Sequence, residues 1–212
     1  VKKHSKPLYI IPITLSSTVV GEDRSLELGR LGQDMTEGDL ISQLSYMNKI
    51  VGKRAPLYVH YAKPIEVKPG DLSQDNKEYT DQVQRYAEQI MTTIGSNVKN
   101  TSTYLLANTI CRNDYAINFT FEDAKKDMLA LARYLEGDVN ESEIEKMTRT
   151  GLKIFEKRGF VKGKNGKRWH FFKRKTNIYQ ITNMPLLRQY SNRIAHQFDQ
   201  KEKKSNLANS LF

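Results

Sequence analysis

The chain has 212 residues, of which 38% are hydrophobic, so it is long enough to bury one or two cores. It contains no run of about 18 apolar residues that could span a bilayer, so we expect any membrane contact to be peripheral. Its single cysteine, Cys111, excludes an internal disulfide, and without a cluster of Cys and His residues we expect no metal site.

The net charge of +10 is concentrated in the second half of the chain. Residues 1–120 carry 14 Lys and Arg against 13 Asp and Glu, whereas residues 121–212 carry 20 against 11. This excess predicts that the second half meets a polyanion, either nucleic acid or an anionic lipid surface.

Two apolar runs in the first half are typical of buried strands. The first runs from Leu8 to Leu15, and Pro12 inside it must lie at an edge, a bulge or a strand end, because proline cannot donate to the ladder. The second runs from Leu57 to Ala62. Between them, helical spacing relates Ile41, Leu44, Asn48 and Val51. The strand, helix, strand order indicates part of an α/β layer, with a parallel sheet as the first expectation.

Two helices follow the second strand. The first has an apolar face formed by Val83, Tyr86, Ala87, Ile90, Met91 and Ile94, and it is predicted to end near Gly95. The second is mostly apolar and covers Thr103 to Cys111. We expect a domain boundary within residues 95–102.

Helix signals continue in the second half. Thr120 and Asp123 form a predicted capping box for a helix that ends at Gly137, and Asn140 caps another helix that ends at Gly159. Asn183 is the predicted cap of one last helix, whose apolar face contains Leu187, Tyr190, Ile194 and Phe198.

A basic hairpin is predicted after Gly159. Residues 160–164 and 167–172 flank Asn165-Gly166, a strong signal for a type I′ turn. Residues 162–175 carry seven cations and no acidic residue: Lys162, Lys164, Lys167, Arg168, Lys173, Arg174 and Lys175. Two helices and a basic hairpin give a winged-helix outline, and winged-helix proteins that bind DNA hold phosphates with such hairpins.

Three stretches together resemble the bacterial glycerol-3-phosphate acyltransferases and their mitochondrial relatives. Tyr9-Ile10-Ile11-Pro12-Ile13-Thr14-Leu15-Ser16 is similar to the fourth sequence block of that family. Leu57 to Ile65 is similar to a later strand, although Lys63 stands where the family has an acidic residue. Residues 186–198 contain Tyr190-x-Asn192-x-Ile194-x-His196-x-Phe198, which resembles the carboxy-terminal helix of the family. The three stretches occur in the family's order.

The resemblance implies that the catalytic groups lie outside this sequence. The family transfers acyl groups with an upstream His-x-x-x-x-Asp block, but the residues five positions after His4, His60, His170 and His196 are Tyr9, Ile65, Lys175 and Lys201. We therefore expect no catalytic residue in this chain, and we interpret it as a carboxy-terminal portion without activity of its own. In the missing part a His would act as general base on the glycerol-3-phosphate hydroxyl.

The resemblance also predicts the organisation and the sites. It implies the end of an α/β acyltransferase domain over residues 1–75 and a mainly helical region with one β-hairpin over residues 76–212, with a boundary as late as residue 102. The implied substrates are glycerol-3-phosphate and an acyl thioester, from acyl-CoA or acyl carrier protein, and no cofactor is expected. Substrate contacts are implied for Ile11, Pro12, Ile13 and Thr14.

A membrane contact is the preferred use of the basic hairpin. Lys162, Lys164, Lys167 and Arg168 are expected to touch anionic lipid, which places the enzyme peripherally on the cytoplasmic face of a membrane. The alternative function is that of a winged-helix nucleic-acid-binding protein, and a third interpretation is that the hairpin is a solvated structural module that joins the catalytic domain to its tail. A nucleic-acid partner is not expected, because acyltransferase-like stretches lie on both sides of the hairpin.

Several residues have a simpler structural interpretation beside the functional one. Ile10 and Ile13 are predicted core residues, while Pro12 fits a pocket edge as well as a core strand. His196 is predicted to be structural, Cys111 to be a buried and inert thiol, and Trp169 to anchor the hairpin.

Overall fold

The computed structural model describes residues 6–20, 29, 56–73, 75–113, 115, 117–164 and 178–209, with side chains to residue 202. These parts combine six helices with seven short strands, so the chain is of mixed α and β class, as predicted. The predicted helix around Ile41 to Val51 lies outside the described residues. The chain divides into two compact units. One comprises Val1–Ser16, Leu57–Lys99 and His196–Phe212, and the other comprises Ser17–Pro56 and Asn100–Ala195.

The first unit is built on a strand ribbon that proline interrupts. Its strands are β1 (Leu8–Ile10), β2 (Ile13–Ser17), β3 (Leu57–Tyr61) and β4 (Ile65–Val67). β1 pairs with β4 and β2 pairs with β3. The break between β1 and β2 falls at Ile11 and Pro12, which confirms that Pro12 lies at a strand end.

The ribbon is antiparallel, so the expectation of a parallel sheet is wrong for these strands. Leu8 lies opposite Val67, and Ile10 lies opposite Ile65. The first strand of one segment, β1, pairs with the last strand of the other, β4, and β2 pairs with β3. The segment β1–β2 therefore runs in the opposite direction to the segment β3–β4. A parallel pair would need both segments to enter the sheet from the same end.

Two helices complete the first unit. α1 (Asn76–Ser96) is capped by Asp75, whose carboxylate accepts the backbone N–H groups of Lys77 and Glu78. It ends one residue after Gly95, as predicted. The apolar stripe predicted on this helix is only partly covered, since Val83 and Met91 are exposed. α6 (Ala195–Asn209) begins against the end of α1: the amide of Gln197 donates to the carbonyl of Val98 at 2.7 Å.

The second unit is organised around one buried helix. α2 (Ser102–Arg112) is buried from Ser102 to Ile110 because three other helices pack around it. These are α3 (Phe121–Glu136), α4 (Glu141–Arg158) and α5 (Met184–Asn192). α4 crosses α2 closely at Gly151, where an added Cβ would lie 2.9 Å from the Ser102 carbonyl oxygen.

The helix signals in this unit are confirmed. Thr120 and Asp123 form the reciprocal capping box of α3. Asn140 accepts the N–H of Ser142 at the start of α4, and Gly159 ends that helix with a φ of 73°. Such a left-handed conformation costs glycine little, because glycine has no Cβ.

A three-stranded antiparallel sheet closes the second unit. Its strands are β5 (Asn118–Thr120), β6 (Val161–Lys164) and β7 (Ile178–Ile181), with β7 in the centre. β6 corresponds to the first arm of the predicted hairpin, and its described neighbour is β7, with Lys164 opposite Ile178. The predicted turn, the second arm and Trp169 lie outside the described residues.

The last predicted helix is two helices. Asn183 caps α5 as expected, by accepting the N–H of Leu186, but α5 ends at Asn192 and α6 begins at Ala195. At the break, the N–H groups of Arg193 and Ile194 bond to carbonyls three residues back. These tighter bonds replace the four-residue pattern of a continuous α-helix and interrupt it.

Candidate functional site

The residues implied to contact substrate lie where the ribbon breaks. Ile11 and Ile13 are exposed, whereas Pro12 and Thr14 are buried. The carbonyl of Pro12 accepts a hydrogen bond from the Ala62 N–H at 3.0 Å, which joins the break to the end of β3. Exposure therefore alternates along these four consecutive residues, and only Ile11 and Ile13 present their side chains to solvent.

The buried side of β2 is polar. The Thr14 hydroxyl donates to the carbonyl of Ile94 at 2.9 Å, and the Ser16 hydroxyl accepts from the N–H of Lys99 at 2.9 Å. Thr14 thus adds a second donor to the Ile94 carbonyl, which also accepts the Asn97 N–H at 3.2 Å, and Ser16 satisfies the N–H of Lys99 just beyond α1. Thr14 is thus fixed in a structural contact.

The opposite side of β2 is apolar and uncovered. The bond between Pro12 and Ala62 sets Ile13 opposite Tyr61 and Leu15 opposite Val59, and side chains of opposed residues share a face. The exposed fractions are 45% for Ile13, 61% for Leu15, 46% for Val59 and 68% for Tyr61. We call these four residues the ribbon face. Ile13 was predicted to be a core residue, and in this chain that prediction is wrong.

Tyr9 on β1 and Glu66 on β4 form a hydrogen-bonded pair of titratable side chains on the ribbon. The Tyr9 hydroxyl donates to Glu66 at 3.1 Å, and this hydrogen bond to a carboxylate raises the pKa of Tyr9. A phenol whose pKa is raised stays protonated at neutral pH, so the Tyr9 hydroxyl acts there as a hydrogen-bond donor.

A second candidate surface is the outer side of the three-stranded sheet. Lys162 and Lys164 alternate with Val161 and Gly163, so both lysines point away from the buried side, and both are exposed. Lys162 lies opposite Gln180 on β7. Lys167 and Arg168, the other two predicted contacts, lie outside the described residues.

The buried side of this sheet carries an aromatic row that the sequence analysis missed. The ring of Phe119 stacks on the rings of Tyr115 and Tyr179, with distances between ring centroids of 5.2 Å and 5.7 Å. Tyr115 also donates to Asp127, and burial together with this bond strongly raises the pKa of Tyr115. Tyr115 and Phe119 are only four residues apart, but the pairing of β5 with β7 is what sets Tyr179 beside Phe119, so no local pattern could have revealed the complete row.

The charge on α4 bears on nucleic-acid binding. Its first turn carries Glu141 and Glu143, and its only basic last-turn residues are Lys157 and Arg158. In the middle, Arg149 is engaged by Glu145 at 2.7 Å. Carboxylates at the helix N-terminus repel phosphate at the end where the helix dipole would otherwise attract it.

Cys111 and His196 have structural surroundings. The Cys111 thiol is half-buried, lies 3.9 Å from the Met184 sulfur, and has a pKa raised mainly by burial. A raised pKa disfavours the thiolate and so agrees with the predicted inert thiol. The His196 ring lies against Gly95, where an added Cβ would be 2.6 Å from the ring.

The described residues contain no group of three His, Cys, Asp or Glu side chains arranged to hold a metal ion. Within the same part of the chain, no helix is both long enough and apolar enough to cross a bilayer.

Comparisons with known proteins gave no relatives: no family model, no curated protein and no solved structure matches this chain.

Proposed function

We propose that this chain works as the carboxy-terminal part of a glycerol-3-phosphate acyltransferase. The observation that carries the proposal is the ribbon face, since strands that resemble two family blocks expose Ile13, Leu15, Val59 and Tyr61 to solvent. A contiguous apolar patch that is exposed in an isolated chain often marks a surface that contacts another protein segment, a ligand or a membrane. In the proposed enzyme, further strands or helices of the acyltransferase domain cover this face.

Two features of the ribbon support the proposal that it belongs to a larger domain. A two-stranded ribbon is marginally stable by itself and gains stability when more strands or a helix cover it. The four consecutive residues from Ile11 to Thr14 lie at the ribbon's break, where Pro12 interrupts the ladder between β1 and β2. In this proposal Pro12 shapes the edge of the acyl or glycerol-phosphate pocket, and Thr14 holds the strand on α1.

The proposed reaction is attack of a glycerol-3-phosphate hydroxyl on an acyl thioester. The hydroxyl loses its proton to a general base, the new ester forms, and the thiol of coenzyme A or acyl carrier protein leaves. The base belongs to sequence outside these 212 residues, so the chain by itself should not turn over substrate.

The test is to express the chain with its natural upstream coding sequence. A His-x-x-x-x-Asp block should occur upstream, the extended protein should acylate glycerol-3-phosphate, and the 212-residue chain should not. An upstream region of full domain length without that block, or turnover by the 212-residue chain, would reject the proposal. Pro12→Ala in the extended enzyme should lower turnover or substrate affinity more than it lowers the melting temperature.

We also propose that the outer side of the sheet holds the enzyme on anionic lipid at the cytoplasmic face of a membrane. Lys162 and Lys164 point outward from the edge strand β6, and the adjoining stretch 165–177 supplies five more cations. A basic residue close to an anionic bilayer contributes about 1 kcal/mol. Several such residues give reversible peripheral binding.

Nucleic-acid binding is the second candidate function. The order of elements from α2 to β7 is helix, strand, helix, helix, strand, strand, which is the winged-helix order, and it favours this alternative. The acidic first turn of α4 argues against it, because that helix would enter the DNA groove. Tight, salt-sensitive binding of a DNA duplex by the chain would favour this candidate over the lipid surface.

A further inference from the structure

A cleft of about 460 Å³ lies on the first unit, and its described lining shares no residue with the ribbon face. Its size is within the range of roughly 300–1,000 Å³ that small-molecule sites occupy. The described residues that line it are Asp71, Gln82, Arg85, Tyr86 and Gln89. All five of these side chains carry a polar group, which suits a hydrophilic ligand.

One wall of the cleft is a face of α1 that is rich in hydrogen-bond donors. Gln82, Arg85, Tyr86 and Gln89 are spaced by three, four and seven residues from the first, so they share one side of the helix. Among the described residues, no carboxylate forms an ion pair with Arg85. Its guanidinium is therefore available to an anionic group that enters the cleft.

The other wall is the turn that contains Asp71. Gly70 gives this turn its shape with a φ of 93°. Two bonds hold the segment in place: Asp71 accepts the Lys68 N–H at 2.7 Å, and Gln82 accepts the Ser73 N–H at 2.7 Å. The carboxylate is thereby positioned before any ligand arrives, which lowers the entropy cost of binding.

The charges select the kind of ligand. Arg85 and Asp71 line the same cleft with opposite charges but do not pair with each other. A simple anion is poorly attracted, because α1 carries Glu78, Asp81 and Glu88 against Lys77 and Arg85. A small zwitterion satisfies both walls, with its anion on Arg85 and its ammonium on Asp71.

We propose that this cleft binds an aminoalkyl phosphate, with the phosphoryl group on the donor wall and the primary ammonium on Asp71. Phosphate is favoured over carboxylate, because Arg85, Tyr86 and Gln89 supply donors in addition to the Gln82 amide, which also reaches Glu78 at 3.5 Å, and a phosphoryl group has three acceptor oxygens. The same chemistry occurs in free phosphoethanolamine and in the head group of phosphatidylethanolamine. The proposal stands apart from the acyltransferase assignment, since it uses none of the ribbon residues.

The experiment is titration of the 212-residue chain with phosphoethanolamine, followed by NMR of the Gln82 and Gln89 side-chain amides. Arg85→Gln and Asp71→Asn should each weaken binding about tenfold, the effect of losing one charge-assisted contact. Both side chains are exposed, and asparagine retains an acceptor for the Lys68 N–H. The matched controls Arg133→Gln and Asp138→Asn, exposed residues of the second unit, should leave binding unchanged.

Two further arms separate the ligand classes and sources. Phosphocholine should bind at least about tenfold more weakly, because its quaternary ammonium cannot donate a hydrogen bond to Asp71. Vesicles of phosphatidylethanolamine in phosphatidylcholine, compared with phosphatidylcholine alone, test the lipid source. If only the free compound binds, the cleft is a soluble-ligand site, and if both bind with the same response to Arg85→Gln, it is a head-group site. Absence of binding in both arms, or binding that Arg85→Gln and Asp71→Asn leave intact, overturns the proposal.

Discussion

The hydroxyl of Tyr190 accepts a hydrogen bond from the backbone N–H of Val20 at 3.0 Å, across 170 positions of sequence. The ring is fully buried and makes edge contacts with Tyr104, Phe155 and Phe160. Arg158 donates to the carbonyl of the same Val20 at 3.3 Å. The segment that leaves β2 is thus fastened to the core of the second unit by its backbone, so side chains near Val20 matter little to this contact.

Tyr190→Phe should therefore destabilise the second unit without opening a cavity. The substitution leaves the Val20 N–H without its acceptor, at a cost of about 1–3 kcal/mol. Chemical denaturation measures the loss. Tyr58→Phe, at an exposed strand position, is the matched control and should change stability by less than about 0.5 kcal/mol. Equal effects from the two substitutions would show that the bond to Val20 contributes nothing.

The close contact between Gly95 and His196 predicts that the loss of stability caused by Gly95→Ala disappears when His196 is replaced by alanine. Gly95→Ala should destabilise the chain, although alanine favours helices by about 1 kcal/mol, because the new Cβ would lie 2.6 Å from the His196 ring. In a His196→Ala background the same change should be neutral or stabilising. A double-mutant cycle of thermal unfolding measures the coupling. Additive effects would mean that α6 does not pack on α1 through this pair.

Substitution in the ribbon face should raise solubility while leaving stability nearly unchanged. Leu15→Thr with Val59→Thr removes exposed apolar groups, and exposed substitutions of this kind change the free energy of unfolding by about 0.5 kcal/mol or less. Saturation concentration and denaturation midpoints are the measurements. Thr14→Val, on the buried side of the same strand, should instead destabilise by about 1 kcal/mol or more, because it removes the bond to Ile94. A large stability loss from the ribbon-face pair would show that this face is covered within the chain.

The capping box of α3 predicts a pH dependence. Hydrogen bonds from the Thr120 hydroxyl and backbone lower the pKa of Asp123. A carboxyl whose folded pKa lies below its unfolded value contributes stability above the unfolded value, about 3.9, and loses it as pH falls through the folded value. The chain should therefore lose part of its stability below about pH 4, to a small extent because Asp123 is exposed. Thr120→Val should reduce this acid-dependent part, and an unchanged profile would contradict the assignment to Asp123.

Vesicle binding should depend on the lysines of β6. Lys162→Gln with Lys164→Gln should weaken binding to anionic vesicles by roughly 2 kcal/mol at physiological salt. Lys146→Gln with Lys153→Gln removes the same charge from exposed positions of α4 and should have a smaller effect. Extending the first pair with Lys167→Gln and Arg168→Gln should weaken binding further. Undiminished binding after all four changes would exclude this surface as the membrane contact.

The sequence by itself determined the local structure wherever neighbouring residues decide it. The caps at Thr120, Asn140 and Asn183, the stop at Gly159 and the strand break at Pro12 all depend on groups within a few positions, so short patterns predicted them. The same reasoning could not place the break at Arg193 and Ile194, because the apolar spacing of Tyr190, Ile194 and Phe198 continues across it.

Only the tertiary structure decided which faces are covered. Ile13 is as apolar as a core residue, yet Thr14 and Ser16 take the buried side of β2, because they satisfy backbone groups at the end of α1. The aromatic row on the sheet, the contact of Tyr190 with Val20 and the cleft between Asp71 and Arg85 likewise join residues that are distant in sequence or lie on different elements. Burial and hydrogen bonding are satisfied by whichever groups the fold brings together, and sequence spacing carries that information only within a single helix or strand.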